Sequence, residues 1–164
     1  MFRACLVVAV LILLALTAVG SAQSAPSSTA VCNLDDGRQV RLNYNAVSAK
    51  NDKAPNGKAW APGGAPMTLF TEAPLSFAGS SIPMGAYSVY PIPGRDKWSL
   101  VVNKNVTAGS AYDERQNIAH ATMETDQMTE AAAALEVAFA HVGSRCTLRI
   151  YFNKIATFAD FMAK

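Results

Sequence analysis

Residues 82–104 constrain the fold more than any other part of this sequence. Within them, residues 85–90 and 98–103 are rich in aromatic and β-branched side chains, a composition that is typical of strands. The intervening segment 91–94 contains two prolines and a glycine, which fix or free the backbone angles that a chain reversal requires and would interrupt a helix. The stretch therefore predicts two strands joined by a turn.

Period-two alternation of apolar and polar residues recurs through the rest of the chain. In residues 38–44, for example, Val40, Leu42 and Tyr44 alternate with polar side chains, as expected for a strand with one buried face. The same pattern predicts strands at residues 30–34, 38–44, 67–73, 117–125, 146–152 and, after a short turn at 153–154, 155–161. About nine short strands predict a single all-β domain over residues 30–164, an antiparallel β-sandwich or open barrel.

Two segments are less regular. Residues 129–141 begin with Glu130 and a run of alanines that favour a helix by intrinsic propensity, but their second half alternates with the period of a strand. We therefore predict a strand at residues 134–140. Residues 45–66 carry many glycine and proline breakers and predict a long loop, with Trp60 either offered for binding or folded onto the core as a lid.

The N-terminus has the pattern of a signal peptide helix over residues 1–22. Arg3 precedes an apolar run at residues 6–19, and small residues stand before a predicted cut ahead of Gln23. The alternative is an uncleaved anchor helix, but the apolar run is shorter than the roughly 20 residues that span a membrane. We expect residues 23–29 to form a flexible leader of a periplasmic or secreted protein, which meets the membrane only through its signal peptide before cleavage.

The charge balance and the cysteine count describe the chain that remains after cleavage. Without Arg3 it carries 13 basic and 12 acidic residues, and no block of like charge stands out, so nucleic acid is not an expected partner. Cys5 leaves with the signal peptide. The remaining Cys32 and Cys146 predict one disulfide in an exported protein, the alternative being two buried thiols that never meet.

The turn at residues 35–37, Asp-Asp-Gly, decides which way Cys32 points. A two-residue turn would pair Cys32 with Arg41 on the polar face of the hairpin. A three-residue turn with Gly37 in the left-handed conformation would instead pair Cys32 with Val40 on the apolar face. We predict the longer turn, because it keeps Cys32 with the apolar residues of both strands and so allows a bond to Cys146.

The central motifs resemble those of the bacterial domain of unknown function family 2911. They are Ile-Pro-Met-Gly-Ala-Tyr-Ser-Val-Tyr at residues 82–90, Ile-Pro-Gly at 92–94, Trp98, Asn-Lys at 103–104, and Gly-Lys-Ala-Trp at 57–60. The resemblance covers nearly all of the mature chain and implies an exported all-β domain. Members commonly follow the tryptophan with Arg-Thr-Gly-Ala-Asn-Glu-Ala-Thr, whereas this chain has Ala-Pro-Gly-Gly-Ala-Pro-Met-Thr and lacks the Arg, Asn and Glu.

No residue pattern identifies a catalytic, cofactor-binding or metal site. His120 and His141 are the only histidines, too few for an ordinary zinc site without carboxylates, and no serine stands in a Gly-x-Ser-x-Gly motif. Trp60, Tyr90 and Trp98 are candidates for a surface that stacks on a sugar ring or another flat ligand, with core packing of Trp98 as the alternative.

The functional hypothesis is an exported domain that acts by binding or by supporting the envelope, without catalytic residues or a cofactor. Its expected partner is a small molecule, a glycan or an envelope protein. The alternative is a small periplasmic hydrolase or isomerase whose site forms only in three dimensions. A histidine within hydrogen-bond reach of a carboxylate inside a deep pocket would favour that alternative.

Overall fold

The structure is a computed structural model that describes residues 26–164. The predicted signal peptide, residues 1–22, lies outside the described residues, as do residues 23–25 of the predicted leader. None of the helical turns within residues 26–164 is long and apolar enough to cross a membrane.

The described chain is all-β, as predicted, and contains ten strands rather than about nine. In chain order they are β1 (Ser27–Asn33), β2 (Gln39–Asn45), β3 (Met67–Thr71), β4 (Leu75–Phe77), β5 (Ser80–Ile82), β6 (Gly85–Ile92), β7 (Ser99–Asn103), β8 (Asn117–Thr122), β9 (Glu124–Val142) and β10 (Arg145–Ala163). They form two antiparallel sheets, one of six strands in the order β1-β2-β3-β6-β7-β8 and one of four in the order β5-β4-β10-β9.

The strands at the centre of the sequence pattern occur as predicted. β6 and β7 pair antiparallel, with Tyr90 opposite Val101. In the first hairpin Cys32 lies opposite Val40, and the Leu34 amide donates to the Arg38 carbonyl at 2.9 Å, which confirms the three-residue turn.

Several strands differ from the prediction. β1 begins at Ser27, so part of the predicted flexible leader is a strand whose Thr29 hydroxyl donates to Asn43 at 2.9 Å. β9 extends over 19 residues instead of residues 134–140, because β10 pairs with both of its ends and the alanine run between them bonds to Ser48 and Ala49, which overrides its helix propensity. β4 and β5 are additional strands of three residues each, too short for the alternation pattern to reveal.

β10 doubles back near its middle. Asn153 has a φ of 53°, the left-handed conformation that Asn tolerates better than most residues. The Thr147 hydroxyl donates to the Asp160 carboxylate at 2.5 Å, which places residues 145–152 beside residues 155–163. The chain therefore reverses where the sequence predicted a turn, although the strand assignment is continuous because β9 follows both halves.

The core lies between the two sheets and is closed by a disulfide. The six-stranded sheet contributes the fully buried Val40, Leu69 and Leu100, and the four-stranded sheet contributes Leu148 and Ile150. The alternation seen in the sequence therefore places one face of each sheet in this core.

Cys32 in β1 and Cys146 in β10 are bonded, with an S–S distance of 2.01 Å and a Cα–Cα distance of 6.1 Å. The predicted disulfide is present and joins the two sheets covalently. Both cysteines are buried, with exposures of 1% and 0%, which agrees with the apolar face predicted for each.

Candidate functional site

Trp60 lies at the centre of an aromatic cluster between the sheets. Its ring centroid lies 5.9 Å from that of Trp98 with the planes at 82°, and 4.8 Å from that of Phe152 with the planes at 57°. The Trp60 amide donates to the Pro91 carbonyl at 2.8 Å, and its Nε1 donates to the Asp52 carboxylate at 3.0 Å. The loop thus folds back onto the core, and Trp60 acts as its lid.

The structure separates the three aromatic residues that the sequence proposed as one ligand surface. Trp60, Tyr90 and Trp98 are all buried, with exposures of 3%, 5% and 4%. Because Tyr90 lies opposite Val101, it projects from the sheet face opposite the one that carries Trp98, Leu100 and Val102. Trp60 and Trp98 therefore remain together and Tyr90 does not join them.

Tyr90 is covered by the loop that follows β7. Its ring packs 4.9 Å from that of Tyr112, and the hydroxyl of Tyr112 accepts a hydrogen bond from Asn117 at 2.7 Å. Burial raises the pKa of Tyr90 above its ordinary value. This side of the sheet is a second, smaller layer of packing rather than an open ligand surface.

Asn103 anchors the loop at residues 104–113. Its Nδ2 donates to the Asp113 carbonyl at 2.9 Å and to Asn117 Oδ1 at 2.8 Å, and its Oδ1 accepts from the Asn105 amide at 2.9 Å. Asn103 is 1% exposed, so these bonds satisfy an otherwise costly buried amide. The only signal for this residue in the sequence is its place in the Asn-Lys motif.

A recess of about 290 Å³, which we call the tryptophan recess, lies beside the aromatic cluster. Three segments that are distant in sequence build it, namely the loop at residues 45–66, the turn after β6 and the reversal of β10. The Gly57 amide joins the first two by donating to the Pro93 carbonyl at 2.7 Å. The lining residues with functional side chains are Asp52, Lys53, Asn56, Trp98, Phe152 and Asn153.

Gly94 allows the turn after β6 to close against the tryptophan recess. A Cβ atom at this position would lie 2.1 Å from the Lys97 carbonyl oxygen, far inside van der Waals contact. Any side chain would therefore force the turn open. This close approach of backbone to backbone explains why the Ile-Pro-Gly motif has a glycine at this position.

The tryptophan recess combines two kinds of surface. Trp98 and Phe152 line the recess from the core, whereas exposed Lys53 and Asn56 stand at the rim. Asp52 is the partly buried link between them, because its carboxylate holds both the Trp60 Nε1 and the Gly63 amide, the latter at 3.1 Å. An apolar wall with a few convergent polar groups is the usual composition of a small-molecule site.

Among the described residues, neither histidine lies within hydrogen-bond reach of a carboxylate, the arrangement that would favour an enzyme. His141 Nε2 contacts the Gly143 carbonyl at 2.5 Å and lies 3.8 Å from the Asp35 carboxylate, beyond hydrogen-bond reach. His120 is exposed on β8. Within residues 26–164, no group of three or more His, Cys, Asp and Glu side chains is arranged to hold a metal ion.

The fold and the recess define a class, namely a disulfide-linked, two-sheet antiparallel β protein with a loop-built cavity against core tryptophans. Within that class, this chain belongs to the family described as "Protein of unknown function (DUF2911)", whose model matches residues 25–158. No curated protein and no solved structure matches the chain.

The positions at which this chain lacks the family's common polar residues are Ala61, Ala65 and Pro66. They surround a short 3-10 turn, Pro62–Gly64, and none of them lines the tryptophan recess. The recess and its polar rim are therefore built from other residues, and the departure from the family pattern leaves them intact.

Proposed function

We propose that this protein is an exported, non-catalytic binding domain whose tryptophan recess holds a small ligand, with a sugar ring as the ligand class that its chemistry fits best. The apolar C–H face of a sugar packs on aromatic side chains such as Trp98 and Phe152. Its hydroxyls both donate and accept, which suits a rim that offers the Lys53 ammonium and the Asn56 amide.

The observation that carries this proposal is the convergence of aromatic and polar side chains in one cavity of about 290 Å³. Ligand sites in proteins are typically cavities of roughly 300–1,000 Å³, so the tryptophan recess lies at the small end and suits one or two rings. An envelope glycan would offer such rings at a chain end. Association with an envelope protein is the alternative role for the same domain.

Export is supported by the disulfide and by the signal pattern at residues 1–22. Disulfides persist in oxidising compartments and are rare in the cytosol, so the Cys32–Cys146 bond agrees with a periplasmic or secreted protein. We expect the mature chain to begin at Gln23. Cell fractionation followed by N-terminal sequencing tests this, and intact Met1 recovered in the membrane pellet would contradict it.

Binding is testable by tryptophan fluorescence, because the chain contains two tryptophans and both belong to the aromatic cluster. The mature protein is titrated with glucose, galactose, N-acetylglucosamine and their disaccharides. We expect a saturable change in emission with at least one of them. Substitution of Lys53→Ala or Asn56→Ala should weaken that binding by about 3-fold to 10-fold, the usual effect of one lost hydrogen bond.

Lys104→Ala is the matched control, because Lys104 is also exposed and lies outside the recess. It should bind like the parent protein. Absence of any saturable response across the sugar panel, both in fluorescence and in NMR chemical shifts, would overturn the sugar proposal. If the Lys53→Ala variant and the parent protein bind the sugar with equal affinity, the sugar does not bind in the tryptophan recess.

A further inference from the structure

A second cavity, which we call the charged cleft, lies on the outer face of the four-stranded sheet where β10 doubles back. Its volume is about 530 Å³. Its lining residues with charged or aromatic side chains are Phe77, Glu124, Arg145, Arg149, Phe158 and Asp160. None of the lining residues of the tryptophan recess contributes to it, so the two cavities are separate.

Two of the four charged side chains that line the charged cleft form an ion pair with each other. Arg145 lies 3.7 Å from the Asp160 carboxylate, which also accepts a hydrogen bond from Thr147 at 2.5 Å. Arg149 and Glu124, in contrast, have no charged partner within 4 Å among the described residues. As far as residues 26–164 are concerned, the cleft therefore presents one free cation, Arg149, and one free anion, Glu124, to a ligand.

Phe158 lies between these two free charges. In the pairing of β9 with β10, Phe158 is directly opposite Glu124. The reversal of β10 places Arg149 on the other side of Phe158, in the same register that brings Thr147 to Asp160. Since neighbouring strands are about 4.8 Å apart, the backbones of Arg149 and Glu124 are separated by roughly 10 Å.

We propose that the charged cleft binds a short zwitterionic peptide with free termini. Its carboxylate would pair with the Arg149 guanidinium, whose planar donors match a carboxylate, and its ammonium with Glu124. An apolar side chain between them would pack on Phe158. An extended chain spans at most about 3.3–3.6 Å per residue, so three residues match the backbone separation of roughly 10 Å. Two residues span about 7 Å and match it when the long Arg149 and Glu124 side chains lean toward the peptide.

This proposal does not rest on sugar binding, because it uses a different cavity and different side chains. The probes are the dipeptide Ala-Leu and the tripeptide Ala-Leu-Ala, each added to isotope-labelled mature protein and followed by NMR. We expect saturable shifts at Glu124, Arg149 and Phe158. N-acetylation or C-terminal amidation removes one charge and should weaken binding by about tenfold.

Two variants assign each end of the peptide to its partner. Arg149→Gln should remove the preference for a free carboxylate over an amide, and Glu124→Gln should remove the preference for a free amine over an acetylated one. The matched controls, Arg95→Gln and Glu114→Gln, change exposed charges outside the cleft and should leave both preferences unchanged.

Three results would overturn the proposal. They are capped peptides that bind as tightly as free ones, preferences that survive in both cleft variants, and no binding of either probe up to about 10 mM, which is weaker than any useful recognition. Because all four substituted residues are exposed, an unchanged circular dichroism spectrum is expected and checks that a loss of binding is not a loss of fold.

Discussion

Asp52 shows how one side chain organises an irregular segment. Its two carboxylate oxygens accept hydrogen bonds from the Trp60 indole and the Gly63 amide, and these bonds pin the loop at residues 45–66 over the core. The sequence marks Trp60 by its size but does not mark Asp52, since a carboxylate among lysines and asparagines in a loop is usually solvated. Only the folded loop reveals what it binds.

Replacement of Asp52 tests this role directly. Asp52→Ala leaves the Trp60 Nε1 without an acceptor and should lower the free energy of unfolding by about 1–3 kcal/mol, measured by urea denaturation. Asp52→Asn keeps one acceptor oxygen and should lose roughly half as much. Asp96→Ala, in an exposed turn, should change stability by no more than about 0.5 kcal/mol, and an equal effect of both alanine variants would contradict the assignment.

Asn103 holds a loop in the same way as Asp52, but on the other face of the six-stranded sheet. Asn103→Ala removes three hydrogen bonds at a buried site and should reduce stability by about 2–4 kcal/mol. Amide hydrogen exchange should rise selectively in residues 104–113, which this side chain holds. The exposed Asn51→Ala serves as the control. A uniform rise across the molecule, without any excess in this loop, would argue against a local anchor.

Two buried tyrosines, Tyr87 and Tyr90, make the free energy of unfolding depend on pH in the alkaline range. Desolvation by burial raises the pKa of Tyr87 and Tyr90, and for Tyr90 a hydrogen bond with Ser88 opposes part of that effect. A tyrosine whose pKa is higher when folded leaves stability unchanged below about pH 10, the unfolded pKa, and lowers it as pH rises above that value.

Stability should therefore be level between about pH 7 and 9 and should decline above about pH 10. Tyr90→Phe removes one ionisable group and should make the alkaline decline shallower. Thermal denaturation followed by circular dichroism across this range measures both slopes. A parent and a variant with the same alkaline slope would show that Tyr90 is not responsible.

At the scale of the element, β10 is the strand that shapes both cavities. Its reversal at Asn153 brings Asn153 and Phe152 to the tryptophan recess. The same reversal sets its two halves side by side to form the charged cleft. The left-handed backbone at Asn153 is the local requirement for this shape.

Substitutions at Asn153 should follow backbone preference rather than side-chain size. Asn153→Val places a β-branched residue at φ 53° and should reduce stability by about 1–3 kcal/mol. Asn153→Gly accepts that conformation without strain and should remain within about 0.5 kcal/mol of the parent. The measurement is urea unfolding of both variants without ligand. If valine is tolerated as well as glycine, the strained reversal is not required.

At the scale of the whole molecule, the disulfide is the covalent link between the two sheets. It closes a loop with a sequence separation of 114, and the chain-entropy model gives about 4–5 kcal/mol for a loop of this length. That contribution is a large share of the roughly 5–15 kcal/mol by which domains are usually stable. Loss of the bond should therefore remove a large part of the free energy of unfolding of this domain.

The double variant Cys32→Ala/Cys146→Ala should unfold at a much lower urea concentration than the parent, with a loss of about 4–5 kcal/mol before any residual denatured-state structure is considered. A reducing agent should reproduce the loss in the parent and have no effect on the variant. Thiol titration under denaturant should find no free thiol in the mature protein. Two free thiols per chain would show that the bond does not form in the cell.

Local pattern was enough to determine the fold class and the pairing of the cysteines. Alternation reports which residues face the core, because side chains of a strand point to opposite faces in turn. The Asp-Asp-Gly turn sets the register that puts Cys32 opposite Val40. Alternation did not reveal that Trp98 and Tyr90 face opposite ways, because this follows from the register of β6 and β7, in which Tyr90 pairs with Val101 while Trp98 alternates with Leu100.

Both cavities were decided by tertiary structure. The tryptophan recess needs Asp52, Gly94 and Asn153 to meet, and their separation along the chain hides that meeting from any local pattern. The alanine run in β9 is the clearest case, because its helix propensity amounts to tenths of a kcal/mol per residue and is outweighed by long-range partners. Ala132 pairs with Asn153 in β10, and Ala133 and Ala134 pair with the distant residues Ala49 and Ser48. The sequence determined the elements and their faces, whereas long-range pairing determined which surfaces they enclose.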